Sequence, residues 1–106
     1  MFPFQGATGR PYDYLPINTE NPGAIPMSGG LFIFAESTLR EPRVVYVGEA
    51  DSIYGTIINT TLWNIARRDH RADSIYVHLL KDQKARRAEQ TDLVARYQPT
   101  MNLASC

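Results

Sequence analysis

The chain predicts an α+β fold: a small, mainly antiparallel sheet with a three-stranded core, flanking helices and one N-terminal edge strand. Three observations carry this. Apolar runs of strand length, rich in β-branched and aromatic residues, recur at 31–35, 43–48 and 74–80. The connector between the first two is short and polar, which favours a hairpin and antiparallel pairing. Beyond residue 52 the apolar spacing changes from strand to helix, and a long helical pattern comes near the end.

At 106 residues the chain makes a single globular domain, with an N-terminal arm over 1–28 and the main body over 29–106. Pro3, Gly6 and Gly9 break any period up to about Pro11, so that stretch reads as irregular. Tyr12-Asp13-Tyr14-Leu15 then alternates as an edge strand. Asn21-Pro22-Gly23 and Pro26 make 18–28 a loop. Leu31 to Ala35 is the first core strand, Glu36 to Pro42 its connector and Arg43 to Gly48 the second. Gly48 reads as the turn that ends this strand, in a backbone conformation closed to other residues, with Tyr46 presented at the strand's end. Asp51 or Ser52 caps a short helix through Ile53, Tyr54, Ile57 and Ile58, which Gly55 weakens by about 1 kcal/mol. Thr60 or Thr61 caps a second helix through Trp63, Ile65 and Ala66 to Arg68, and Ser74 to Leu80 is the third core strand. Asp82 caps the last helix, which runs to Tyr97 because Pro99 forbids continuation. Leu93, Val94 and Tyr97 follow Gln90 by three, four and seven residues, placing Gln90 on the sheet-facing side with Arg86, near Tyr46. Glu89 is about a quarter turn away.

The formal net charge is zero, but up to Ile53 three basic residues face six acidic ones, and from Tyr54 onward eight face five. The second half permits a nucleic-acid surface without demanding one. Arg67, Arg68, Lys84, Arg86 and Arg87, with Arg71 and Lys81, read either as a solvated basic face or as phosphate contacts. No apolar run is long enough for a membrane span, and the first residues lack the basic region and apolar stretch of a secretory signal, which predicts no membrane partner and a cytoplasmic location. Cys106, the lone cysteine, reads as a free thiol. His70 and His78 offer no ligand constellation, and each reads as a satisfied side chain.

The order Gly30-Leu31-Phe32, then Tyr46-Val47-Gly48, then a helix ending Asp92-Leu93-Val94-Ala95-Arg96-Tyr97-Gln98-Pro99 and Asn102 resembles the GIY-YIG nuclease superfamily over roughly residues 29–102. The resemblance implies a site that cuts phosphodiesters, with a tyrosine from each motif, an arginine on the following helix, a metal-binding glutamate on the later helix and a terminal asparagine. Tyr46, Gly48 and Asn102 match that pattern. Phe32 stands where the first tyrosine is expected, Thr56 eight residues past Gly48 where the arginine is, and Gln90 twelve residues before Asn102 where the glutamate is. Phenylalanine moves no proton, threonine carries no charge, and a glutamine carbonyl binds a divalent ion far less well than a carboxylate. The resemblance with these substitutions implies an impaired nuclease that binds DNA or another nucleic acid and needs no cofactor.

Two alternatives accompany that reading. An active endonuclease would use magnesium or manganese, with Glu89 in place of Gln90 as ligand and Arg86 as the cation. A small protein-binding or inhibitory module, of the kind carried by phages or mobile elements, would use the acidic first half or the apolar N-terminal arm against a protein partner. Tyr46 also reads as a packed strand-end aromatic, and Asn102 as a tie to the backbone.

Overall fold

The computed structural model of the chain describes residues 1–37 and 40–104, the side chains of Pro22 and Ala104 excepted. Cys106 and the middle of the 36–42 connector lie outside the described residues. The element order is β1 (Phe2–Gln5), β2 (Pro11–Ile17), β3 (Gly30–Glu36), β4 (Arg43–Ala50), α1 (Ile53–Asn59), α2 (Leu62–His70), β5 (Ser74–Leu79), α3 (Gln83–Tyr97) and α4 (Thr100–Ala104), with one turn of 3₁₀ helix at Pro22–Ala24.

The class is α+β, but the expected three-stranded core is corrected by the pairing. All strands form one five-stranded antiparallel sheet in the order β1-β2-β5-β3-β4. Strand β3 lies between β4 and β5, so the three runs read from the sequence are neighbours; the arm adds two more strands beyond them. The stretch read as irregular, 2–5, is the edge strand β1, and the strand read as an edge is interior. Pro3 hid β1, yet an outermost strand tolerates a residue with no N–H to give. Strand β2 is staggered: residues 11–14 pair with β1 and residues 15–17 with β5. Pro16 therefore sits where β2 has a neighbour on one side only.

Both sheet faces are covered. Phe32, Phe34, Val45, Ile75 and Val77 pack under α1 and α2 with Ile53, Ile57 and Ala66, and Met101 of α4 joins them. On the other face Phe4, Tyr14, Leu31, Ile33, Val47 and Tyr76 pack with Leu93 of α3. A β-bulge opposite Phe34 and Ala35 turns Val45 and Tyr46 both to the α1/α2 face. Ser52 caps α1, its Oγ accepting from Gly55 N–H at 3.1 Å, and Asp82 caps α3 through Lys84 N–H.

Two local expectations are corrected. Gly48 does not turn the chain: β4 continues through it to Ala50, and its φ is not positive. Its missing side chain is filled by the Phe32 ring, since a Cβ at 48 would collide with Phe32 Cζ. The buried stripe of α3 is Arg86, Glu89 and Leu93, with Gln90, Val94 and Tyr97 half-buried on its flank. Glu89 therefore faces inward, because its partners lie on the sheet.

Candidate functional site

The positions expected to be catalytic divide between the two faces of the sheet. Phe32 is 1% exposed on the α1/α2 face, its ring centroid 5.2 Å from Phe34 and 5.9 Å from Tyr46. Tyr46 is half-buried there, and its hydroxyl has no hydrogen-bond partner among the described residues. Burial, and secondly the negative charge of Glu49, push its ionisation above the ordinary tyrosine value, which disfavours the phenolate that would activate water. Thr56 is half-buried in the middle of α1.

Gln90 and Asn102 meet instead at one residue of β4, Val47. Val47 N–H donates to Asn102 Oδ1 at 2.8 Å, and Val47 C=O accepts from Asn102 Nδ2 at 2.9 Å and from Gln90 Nε2 at 3.0 Å. Strand β4 is outermost, so these two side chains satisfy polar groups that no strand reaches. Gln90 is thus next to Tyr46 along the chain of β4 but works from the opposite face, through the backbone.

Glu89 and Arg86 are also committed. Glu89 is 4% exposed, and its Oε2 accepts from Tyr14 Oη at 2.6 Å and pairs with His78 Nδ1 at 2.8 Å. Desolvation, then the Glu89 charge, hold the Tyr14 hydroxyl protonated far above its ordinary range, so it remains a donor. Arg86 is 2% exposed; its guanidinium bonds Glu49 Oε2 at 3.0 Å, the carboxylate of Asp51, and the carbonyls of Leu80 and Lys81. The hydrogen bond to Glu49 is the largest of the causes that raise the Arg86 ionisation above its ordinary value. The expectation that Arg86 faces phosphate is corrected: the side chain is buried and makes its hydrogen bonds to Glu49, Asp51 and two carbonyls inside the fold.

A divalent ion implied by the family resemblance does not fit these residues. Gln90 turns its amide nitrogen to a carbonyl, Asn102 clamps Val47, and Glu89 lies across the sheet from Tyr46. No group of three or more His, Cys, Asp or Glu side chains among the described residues is arranged to hold a metal.

Four of the basic residues expected to contact phosphate are exposed, and they lie on two helices. Arg67 and Arg68 leave α2 into solvent, and Lys84 and Arg87 leave α3. The α2 pair borders an open groove of about 780 Å³ with Trp63, Asn64, Thr19 and Glu20. Trp63 packs on Phe34 at 4.9 Å, and the Arg67 guanidinium stands 5.8 Å from the indole centroid. Among the described residues Arg68 pairs only with its neighbour Asp69, at 3.1 Å, an exposed contact worth little. Asp73 also borders the groove, so its charge is mixed. Sequence reading noted Trp63 as a helix residue but missed it as part of a surface; its spacing of four from Arg67 was the available signal. Nothing local announced Tyr14 with Glu89, 75 residues apart.

No helix among the described residues is long and apolar enough to cross a membrane. No protein-family model, curated protein or solved structure matches this chain.

Proposed function

We propose that the chain is a GIY-YIG-like domain that binds nucleic acid in the cytoplasm without cutting it. The observation that carries this reading is the use made of the substituted positions. Phe32 fills the space over Gly48, and Gln90 joins Asn102 on Val47, so residues that differ from the family pattern hold the scaffold together. The adjacency of β3, β4 and β5 is compatible with that resemblance. Binding rests on α2, where Arg67, its guanidinium 5.8 Å from the Trp63 ring centroid, offers a planar cation to a base or phosphate, with Arg68 one position on. The N-terminal arm is not available to a protein partner as a loose segment, because β1 and β2 are paired and their aromatics packed.

A mobility-shift titration with short single- and double-stranded DNA and RNA tests binding. The expected shift weakens as salt rises, and Arg67→Ala with Arg68→Ala weakens it for all sequences alike, lowering the salt slope by about 1 for each phosphate no longer neutralised. Plasmid and branched DNA should remain intact with magnesium or manganese. Cutting that Tyr46→Phe abolishes would overturn the non-cleaving reading. No shift at low salt would overturn nucleic-acid binding and favour a protein partner, for which Leu15 and Leu79, 51% and 53% exposed on adjacent strands, are the apolar surface.

A further inference from the structure

A second cleft, of about 470 Å³, opens between β2, β5 and α3, away from the α2 groove. Its volume falls within the range of small-ligand sites, roughly 300–1,000 Å³. Tyr12 forms one wall, its ring held in place because its hydroxyl donates to Asp92 Oδ2 at 2.8 Å. The facing wall is α3, where Ala85 and Ala88 keep a slot open that longer side chains would fill. His78 and Glu89 line the cleft, and Arg10 stands at its rim with its guanidinium 5.5 Å from the Tyr12 ring centroid.

The polar atoms left over in this cleft have a definite chemistry. Tyr14 and His78 both address Glu89 Oε2, whereas Oε1 has no partner among the described residues. No buried side-chain polar atom among the described residues lacks a partner, so Oε1 is not sealed in. An ionised carboxylate only accepts hydrogen bonds. In a neutral imidazole whose Nδ1–H donates to Glu89, His78 Nε2 is an acceptor, and it has no partner among the described residues. The cleft therefore offers two acceptors inside, flat apolar walls, and one cation at the mouth. Asp13, also at the edge, limits the positive charge there.

We propose that this cleft binds a guanine nucleotide carrying one phosphate, either free or as one unit of a strand. Guanine places two donors side by side, N1–H and the N2 amino group, toward Glu89 and His78. Adenine and cytosine each alternate a donor with an acceptor on the same edge, and uracil has a single donor between two acceptors. Arg10 meets the phosphate. This site is separate from the α2 surface and does not depend on it.

The test is a titration of the full chain with GMP, AMP, CMP, UMP and guanosine, followed by amide NMR shifts and calorimetry. GMP should give saturable shifts at residues 10, 78 and 88 and bind about tenfold more tightly than AMP, the difference one further hydrogen bond makes. Ala88→Leu, on an exposed helical position, should abolish binding by filling the slot. Arg10→Ala should bring GMP down to the affinity of guanosine, and it serves as the test if the Ala88→Leu chain does not fold. Arg67→Ala should leave GMP binding unchanged while weakening the mobility shift, so the two sites fail separately. A guanine-containing trinucleotide that binds better than GMP identifies a strand as the source; equal or better binding of GMP identifies the free nucleotide. The proposal is overturned if neither GMP nor the trinucleotide gives saturable shifts, if AMP binds as well as GMP, or if binding survives Ala88→Leu.

Discussion

At residue scale, the Phe32 ring and the bare backbone of Gly48 are two halves of one contact, because the ring occupies the volume a side chain at 48 would need. Phe32 is also enclosed by Phe34 and Tyr46, so it has little room to retreat. Gly48→Ala is expected to destabilise the fold by about 1–3 kcal/mol, as overpacking of a filled core does. Phe32→Leu in the same chain should recover part of that loss. Urea denaturation of the two single variants and the double variant checks it: purely additive effects would show that the ring and the glycine do not compete. On the opposite face, Tyr14→Phe removes one of the two donors to Glu89 Oε2 while keeping the ring. It should cost about 1–3 kcal/mol, the usual consequence of depriving a buried polar group of a partner.

At the scale of elements, the β1–β2 hairpin is fastened to α3 through Asp92. Its carboxylate accepts from Thr8 N–H at 3.0 Å, Thr8 Oγ1 at 2.8 Å and Tyr12 Oη at 2.8 Å. Those bonds, the Thr8 hydroxyl first, hold Asp92 below the usual carboxylate range, whereas burial, then the bond to Asp92, push the Tyr12 hydroxyl up to about 12. A lowered carboxylate contributes stability that is present above its unfolded value, ~3.9, and is lost as pH falls through the folded one. A raised tyrosine contributes stability present below its unfolded value, ~10, and lost as pH rises toward the folded one. Thermal melts should therefore show an alkaline loss between about pH 10 and 12 that is smaller in Tyr12→Phe, and an acid loss below about pH 4 that is smaller in Asp92→Asn. An unchanged alkaline limb in Tyr12→Phe would show that other tyrosines dominate it.

The same elements show what was legible in the sequence. The runs that became β3, β4 and β5, the caps at Ser52 and Asp82, and the stop at Tyr97 are local features, written in periodicity and turn chemistry. The face of α3 was not legible, because apolar spacing ignores Arg86 and Glu89, whose reason to be buried lies with Glu49, Tyr14 and His78 elsewhere in the chain. Strand β1 was hidden by Pro3 and Gly6. Of the expected site, Asn102 reads in the sequence both as the family's matching asparagine and as a backbone tie; its bonds at Val47 are those of the tie, and the sharing of that carbonyl with Gln90 could not be seen without the fold.

At the scale of the molecule, the arm and the body are one sheet. Strand β2 covers the edge of β5, and Phe4 and Tyr14 are buried against Tyr76 and the α3 side of the core. A chain limited to residues 29–106 would lose both aromatics, each worth roughly 1.5–3 kcal/mol of burial, against a total stability of ~5–15 kcal/mol for an ordinary domain. It should melt at least 10 °C below the full chain, on the scale of roughly 4–8 °C per kcal/mol for small domains. Circular dichroism measures this, and an unchanged melting temperature would mark residues 1–28 as an appendage.

The clamp of Asn102 on Val47 has one more consequence, for self-association. A primary amide that takes the N–H and gives to the C=O of one residue imitates a single rung of a sixth strand. Strand β4 runs through Val44, Val45, Tyr46 and Val47, the kind of segment that templates addition of a like strand from another molecule when its edge is bare. The amide occupies the middle of that template. Asn102→Ala should therefore turn a stability defect into a concentration-dependent one, with light scattering and thioflavin fluorescence rising at protein concentrations where the parent chain gives neither.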